Sequence, residues 1–122
     1  MGVSLGKHVI ADIEGVPFDI LNNSGVLNSF VIQSIQDGTA TLIKYIDHNF
    51  TPQGCTGLFL LAESHVSYHT YPEYGRIMVD AFTCGDKASP LRIIQGIIKH
   101  LDSATKMKVG VILTYHDRGL MK

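Results

Sequence analysis

The chain has 122 residues, of which 45% are hydrophobic and 17% charged, and its formal net charge is −1. This length and composition predict one compact domain over residues 1–122, and the near-neutral charge without clustered Lys and Arg excludes a surface built to bind nucleic acid phosphates. Two cysteines are too few for a secreted disulfide scaffold, and no apolar run reaches the length of a signal peptide or a membrane span, so we expect a cytoplasmic location and no membrane partner.

The first half of the chain predicts a strand, a helix and a second strand. The apolar run at residues 9–11 predicts a strand that ends near Glu14. Pro17 then suits the first turn of a helix, and Asp37-Gly38 ends that helix. Four apolar side chains of the helix lie roughly on one face: Ile20, Leu27, Val31 and Ile35. A high density of β-forming residues at 39–47 predicts the second strand.

The second half predicts three more strands, a helix and a final strand. The continuous apolar run at 58–62 predicts a strand that is buried on both faces. Residues 66–69 and 76–83 predict two further strands, with turns at 51–54 and 71–75. Ser89-Pro90 has the hydroxyl N-cap and first-turn Pro of a helix start. The apolar residues that follow at helical spacing are Leu91, Ile94, Ile98 and Leu101. Residues 107–115 predict the last strand.

The predicted order of elements is β-α-β-β-β-β-α-β. Helices interspersed with hairpins favour an α+β sandwich, with a mostly antiparallel sheet and helices on one face. The other face of such a sheet needs cover, which a second subunit could supply.

The densest polar segment, residues 63–73, directly follows the apolar run and leaves several kinds of site open. His65 and His69 have the i,i+4 spacing of a helical zinc motif, but on a strand they would lie ~13 Å apart, so we expect no metal site. Ser64, a His and Asp80 are the groups of a hydrolase, although the Gly-x-Ser-x-Gly elbow is missing. Cys84 is either a nucleophile at a strand end or a small buried apolar residue. A solvated hairpin is the alternative to all of these sites.

Several segments together closely resemble the signature of the short prokaryotic S-adenosylmethionine decarboxylase proenzymes, which are pyruvoyl-dependent. In chain order they are Gly-Lys-His at 6–8, HNFTPQG at 48–54, LAESHVSYHTYPEYG at 61–75, DAFTCG at 80–85 and HDRG at 116–119. They cover most of the chain in the right order and at compatible spacing. Such a match is far more specific than any single short motif.

The resemblance implies a cofactor that the chain makes from itself. In this family the serine hydroxyl, here of Ser64, attacks the carbonyl of the preceding residue, here Glu63, and elimination then leaves a pyruvoyl group. The products would be a β chain of residues 1–63 and an α chain of residues 64–122. His69 carries over as the general acid/base of this processing. Thr56 stands where the family has an assisting Ser, and its extra methyl and stiffer χ1 predict slower processing.

The same resemblance implies the decarboxylation of S-adenosylmethionine to the aminopropyl donor for spermidine synthesis, with the pyruvoyl carbonyl as the electron sink. Cys84 carries over as the acid that reprotonates the substrate α-carbon. Phe50 carries over as the residue that stacks on adenine, and Glu73 as the acceptor for the ribose hydroxyls. Tyr71 stands where the family usually has Trp, and it could still stack on the substrate over a smaller area.

Two alternatives stay open beside this function. The change at Tyr71 leaves room for a pyruvoyl enzyme that acts on another amino acid, such as ornithine or arginine. The change at Thr56 leaves room for a non-catalytic paralogue that binds a nucleoside or a protein. The resemblance further implies a two-layer α/β sandwich and a homodimer whose active sites lie at or near the subunit interface.

Overall fold

A computed structural model describes residues 3–121 of the chain, and its strands form a six-stranded antiparallel sheet with helices packed on one face. The elements in chain order are β1 (Gly6–Glu14), α1 (Phe18–Leu21), α2 (Ser24–Asp37), β2 (Leu42–Asn49), β3 (Cys55–Leu61), β4 (Ser64–Tyr71), β5 (Arg76–Cys84), α3 (Pro90–Thr105) and β6 (Gly110–Arg118), with a short 3-10 helix at Pro72–Tyr74. The strand order across the sheet is β2-β3-β4-β5-β1-β6. The α+β class, the antiparallel sheet and the one-sided helices are confirmed.

Helix starts follow the capping signals of the sequence. Ser89 Oγ accepts a hydrogen bond from the N–H of Arg92 at 3.2 Å, so α3 begins at the predicted place. The prediction of one helix between Pro17 and Gly38 is wrong, because the structure has two. The side chain of Asn23 accepts from the N–H of Val26 at 3.1 Å and thereby starts α2 as a separate helix. An Asn that caps a new helix start interrupts the preceding one.

The hydrophobic core lies between the helices and one face of the sheet. Burial alternates along β1 and β5, as expected for strands with one covered face. In α3 the fully buried apolar positions after Pro90 are Ile93, Ile94, Ile97 and Leu101, so the buried face is rotated slightly from the predicted one, and Leu91 and Ile98 lie at its margin. None of the described helices has the length and apolar character to cross a membrane.

The prediction that the apolar run of β3 is buried on both faces is wrong. Phe59 and Leu61 pack into the core, but Leu58 is 49% exposed and Leu60 is 53% exposed. A continuous apolar run does not report which face is covered, and within residues 3–121 of one copy nothing covers the face opposite the helices. We call this face of the sheet the open face. Its apolar members, which share a face through their strand pairings, are Ile10, Ile46, Leu58, Leu60, Met78, Phe82 and Ile112.

Candidate active site

Ser64 begins β4 directly after the two-residue turn of Ala62 and Glu63. Its φ is +147°, in a region that is essentially reserved for glycine, so this residue carries conformational strain of roughly 1–3 kcal/mol. Two hydrogen bonds hold the turn. The N–H of Thr41 donates to Glu63 Oε1 at 3.0 Å, and the carbonyl of Thr41 accepts from the N–H of Ala62 at 2.9 Å. The turn is therefore held in the form that strains Ser64.

The peptide bond between Glu63 and Ser64 also has a polarised carbonyl. The oxygen of Glu63 accepts a hydrogen bond from the backbone N–H of Cys84 at 2.9 Å. This contact arises because β5 ends beside the start of β4, where Thr83 pairs with Ser64. A backbone donor at this distance makes the carbonyl carbon more electrophilic and can stabilise an oxyanion. The thiol of Cys84 is exposed at the same strand end, which excludes the alternative of a buried apolar residue.

The hydroxyl of Ser64 begins a chain of polar contacts. Its Oγ lies 3.3 Å from Nδ1 of His65, and Nε2 of His65 lies 3.3 Å from Oδ2 of Asp80. Nε2 of His8 lies 2.7 Å from the same carboxylate oxygen, and the hydroxyl of Ser67 donates to the other one. We call Ser64, His65, Asp80 and His8 the serine cluster. A hydroxyl, an imidazole and a carboxylate in this order form the arrangement that activates a serine.

Three members of the serine cluster could together hold a cation. The ligand atoms of His8, His65 and Asp80 lie within 4.8 Å of one another. However, Nη1 of Arg118 lies 2.9 Å from Nδ1 of His8. Because a guanidinium can only donate, that Nδ1 accepts, and the ring proton is on the Nε2 that faces Asp80. In this arrangement His8 has no lone pair for a cation at Nε2.

A second group of predicted residues surrounds His69. Its Nδ1 lies 2.5 Å from Oγ1 of Thr56, with which it pairs across β3 and β4. The ring of Phe50 lies 5.6 Å from the ring of His69, and the ring of Tyr71 lies 4.7 Å from it on the same strand. We call Phe50, Thr56, His69 and Tyr71 the aromatic cluster. Such a cluster offers flat surfaces for stacking beside a proton-transfer group.

Glu73 lies just beyond the aromatic cluster, in the short 3-10 helix. Its Oε2 accepts a hydrogen bond from Nε2 of Gln53 at 3.3 Å, and its side chain is exposed. The carboxylate therefore borders the aromatic cluster and keeps acceptor capacity for a ligand hydroxyl.

Within one copy of the chain the predicted site residues form two separate groups. Ser64 and Cys84 lie near the N-terminal end of β4, whereas His69 and Thr56 lie near its C-terminal end. Ser64 and His69 are five residues apart on a strand, which corresponds to roughly 16 Å. The structure therefore does not bring His69 to the Ser64 hydroxyl of the same copy.

The sequence interpretation assigned no role to three residues of the Ser64 end. His65 was considered only as a metal ligand, and His8 and Arg118 were noted only as parts of matching segments. The sequence did contain a signal for these residues. Their segments are far apart in the chain, yet each matches the family signature, and no structural reason for that match was assigned. β1 pairs with both β5 and β6, so it brings His8 between Phe82 and His116 and next to Asp80.

Two buried titratable groups lie on the helix side of the sheet, behind the candidate site. Burial raises the pKa of the Cys55 thiol, which contacts Oγ1 of Thr70 at 3.7 Å. Burial also raises the pKa of Tyr68, whose hydroxyl donates to Oδ1 of Asn28 at 2.7 Å. Both groups stay neutral and belong to the core.

Comparison with known proteins gives one consistent family. The family model described as S-adenosylmethionine decarboxylase matches residues 7–114. The S-adenosylmethionine decarboxylase proenzyme of Picrophilus torridus is 42% identical over 101 residues, which cover 83% of this chain and 78% of that protein. The proenzyme of the same name from Hydrogenobaculum sp. is 38% identical over 122 residues, which cover 100% of this chain and 87% of that protein.

A solved structure has the same fold. The crystal structure of the adenosylmethionine decarboxylase from Aquifex aeolicus superposes with a TM-score of 0.85 at 34% identity, covering 98% of this chain and 94% of that one. The sequence match and the structural match therefore extend over nearly the whole chain. From the strained serine turn, the shared fold and these relatives it follows that the chain belongs to the S-adenosylmethionine decarboxylase family.

Proposed function

We propose that this protein is a proenzyme that cuts itself between Glu63 and Ser64 and then decarboxylates S-adenosylmethionine with a pyruvoyl group derived from Ser64. The observation that carries the proposal is the geometry of this one peptide bond. Its serine has a φ of +147°, and its carbonyl accepts from the N–H of Cys84. Strain on the residue and polarisation of the carbonyl both favour attack by the neighbouring hydroxyl.

The residues present fit a pyruvoyl group at position 64. The strain at Ser64 depends on a tetrahedral Cα that carries a side chain, and conversion to a planar ketone removes that centre. Cleavage into residues 1–63 and 64–122 also separates the turn from β4. Both changes release strain in the product, which supports cleavage in this direction.

The pyruvoyl carbonyl supplies an electron sink for the loss of CO2 from an amine substrate. Cys84 has an exposed thiol at the same strand end, and in this proposal it returns a proton to the substrate carbon. The rings of Phe50 and Tyr71, each partly exposed, stack on the adenine, and Glu73 accepts from the ribose hydroxyls. Product release then provides the aminopropyl donor for spermidine biosynthesis.

A homodimer would complete the site. One copy separates Ser64 from His69 by roughly 16 Å along β4, and its open face exposes apolar side chains that need cover. Two copies packed open face to open face about a two-fold axis bring one end of β4 against the other end of the partner's strand. The partner subunit's His69 would then reach the Ser64 end of this copy, and the same contact would form twice.

Tyr71 supports a second candidate substrate class. A pocket with Tyr in place of Trp offers less stacking area, which weakens the preference for a nucleoside and leaves a free amino acid such as ornithine or arginine as the alternative substrate. Release of CO2 from one of these amino acids, together with no release from S-adenosylmethionine, would favour this second candidate.

Intact-mass measurement of the purified protein tests self-cleavage. The parent chain should yield two fragments that meet at the Glu63–Ser64 bond, with the C-terminal one blocked at its amino end. Ser64→Ala should stay whole, whereas Ser103→Ala, at an exposed serine of α3, should cleave like the parent. The cleaved protein should then release CO2 from carboxyl-labelled S-adenosylmethionine. A parent chain that keeps an intact serine after long incubation would contradict the proposal.

A further inference from the structure

We propose that His65 is the general base that activates the Ser64 hydroxyl for its attack on Glu63, and that Asp80 positions the imidazole. The inference rests on the self-cleavage proposed above and assigns the group that starts it. It concerns the first proton transfer, for which His69 of the same copy is too far away.

The contacts of His65 point to this role. Its Nδ1 lies 3.3 Å from the Ser64 oxygen, and its Nε2 lies 3.3 Å from Oδ2 of Asp80. A carboxylate can only accept, so Asp80 selects the ring form with its proton on Nε2. The lone pair on Nδ1 then faces the hydroxyl of Ser64, which is the orientation a base requires.

Asp80 is itself held from other sides. The hydroxyl of Ser67 donates to its Oδ1, and Nε2–H of His8 donates to its Oδ2 at 2.7 Å. Arg118 donates to the opposite nitrogen of His8 and so fixes the direction of that ring. With two other donors in place, the carboxylate has a defined position when it orients His65. His8 and Arg118 are therefore positioning residues and do not contact the reacting atoms.

The proposed step balances without any further reactant. The Ser64 O–H proton moves to Nδ1 of His65 as the oxygen forms a bond to the carbonyl carbon of Glu63. The N–H of Cys84 stabilises the negative charge on the carbonyl oxygen. The C–N bond then breaks, the electron pair goes to the nitrogen of Ser64, and the proton on His65 passes to that nitrogen. The product is an ester between the two residues and a free amine.

The substitution His65→Asn removes the basic group at this position and keeps a hydrogen-bond acceptor of similar placement. The amide oxygen of Asn can still accept a hydrogen bond near the place of Nδ1, but it cannot take a proton at neutral pH. The ring of His65 is 47% exposed, so the folded state should survive the change, and thermal unfolding checks this. His100→Asn, on α3 and on the other side of the sheet, is the matched control.

The readout is the rate of proenzyme cleavage by intact mass, with and without neutral hydroxylamine, which cuts an ester and leaves an amide. His65→Asn should cleave about 100-fold or more slowly and should hold no hydroxylamine-sensitive ester, because formation of the ester becomes the slowest step. Asp80→Asn should cleave faster than His65→Asn but more slowly than the parent. His100→Asn should behave like the parent.

Three outcomes would overturn the inference. A parental rate in His65→Asn, or accumulation of an ester in that variant, removes the role of His65 and leaves self-cleavage standing. An unchanged rate in Asp80→Asn removes the positioning role of Asp80. A parent chain that never cleaves removes both the inference and the proposed function. If His65→Asn fails to fold, His65→Gln replaces it with the same expected result.

Discussion

Ser64 is a residue at which backbone conformation and chemistry make opposite demands. A glycine would adopt its φ of +147° without strain, but the attack on Glu63 that we propose requires a hydroxyl. Thr56 combines a hydroxyl that contacts His69 with a methyl group that serine lacks, and this methyl restricts χ1.

The strain at Ser64 can be measured in chains that do not cleave. Ser64→Gly and Ser64→Ala both lack the hydroxyl, so both should stay whole. Ser64→Gly should have the larger free energy of unfolding, by about 1 kcal/mol or more, because glycine tolerates the positive φ. Denaturant unfolding of both variants gives the difference.

The matched comparison is at Ser103 in α3, where the sign should be reversed. There Ser103→Gly should be less stable than Ser103→Ala by about 1 kcal/mol, because a helix disfavours glycine. Equal stabilities of the two Ser64 variants would show that this residue carries no strain.

At the scale of elements, β4 is the strand on which the core and the site meet. Its alternation directs Val66, Tyr68 and Thr70 into the core, whereas His65 and His69 lie on the open face. One strand thus supplies both packing and proton-transfer groups because successive side chains point to opposite faces. Behind the site, the hydroxyl of Tyr68 connects this strand to α2 through Asn28.

The buried groups behind β4 predict a loss of stability at alkaline pH. In the unfolded chain Cys55 and Tyr68 ionise near their ordinary values of 9.0 and 10.0, whereas burial raises the pKa of both in the folded protein. The unfolded state then releases protons that the folded state keeps. The contribution of these two groups to the free energy of unfolding is fully present below about pH 9. It should fall as the pH rises, by up to about 1.4 kcal/mol per pH unit for each group.

The variant Tyr68→Phe isolates the contribution of Tyr68. Urea unfolding from pH 8 to pH 11, with Ser64→Ala as the parent chain, measures its stability. Above pH 10 the free energy of unfolding should fall less steeply in Tyr68→Phe than in this parent. At neutral pH the variant should lose about 1–3 kcal/mol, because Asn28 keeps a buried oxygen without its donor. Tyr74→Phe, at an exposed ring, is the matched control and should keep the parental slope. An identical slope in Tyr68→Phe would refute this explanation.

At the scale of the whole molecule, the two ends of β4 lead to a prediction about subunits. If a dimer completes each site, the Ser64 of one copy works with the partner subunit's His69. Ser64→Ala and His69→Asn should then each stay whole when expressed alone. In mixed dimers from co-expression, the His69→Asn chain keeps its serine and receives an intact His69 from its partner, so it alone should cleave.

Intact mass of the co-purified mixed dimer reads out this complementation, because the two chains and their fragments differ in mass. The control is a mixture of His69→Asn with the double variant Ser64→Ala/His69→Asn, which offers a serine but no His69 and should remain whole. Cleavage of His69→Asn alone would mean that processing does not need this histidine. No cleavage in the mixed dimer would mean that both ends of the site act within one copy.

The amino-acid sequence by itself determined most of the elements and the family. Local signals predict a helix start at Ser89-Pro90 and, through alternating residues, the strands of a one-sided sheet, but they missed the division of the first helix at Asn23. The family resemblance rested on segments at both ends and in the middle of the chain, and it predicted a site that includes Ser64 and Cys84. These features depend on residues that are near in sequence or on the order of motifs.

Only the tertiary structure decided which groups meet. The apolar run of β3 could not report that Leu58 and Leu60 are exposed, because coverage of a sheet face depends on the layer that packs on it. The pairing of β1 with β5 brings His8 to Asp80 across 72 positions of sequence. The length of β4 separates His65 from His69, which lie four residues apart on the same face. Such contacts follow from strand register, which is a property of the assembled sheet rather than of any local segment.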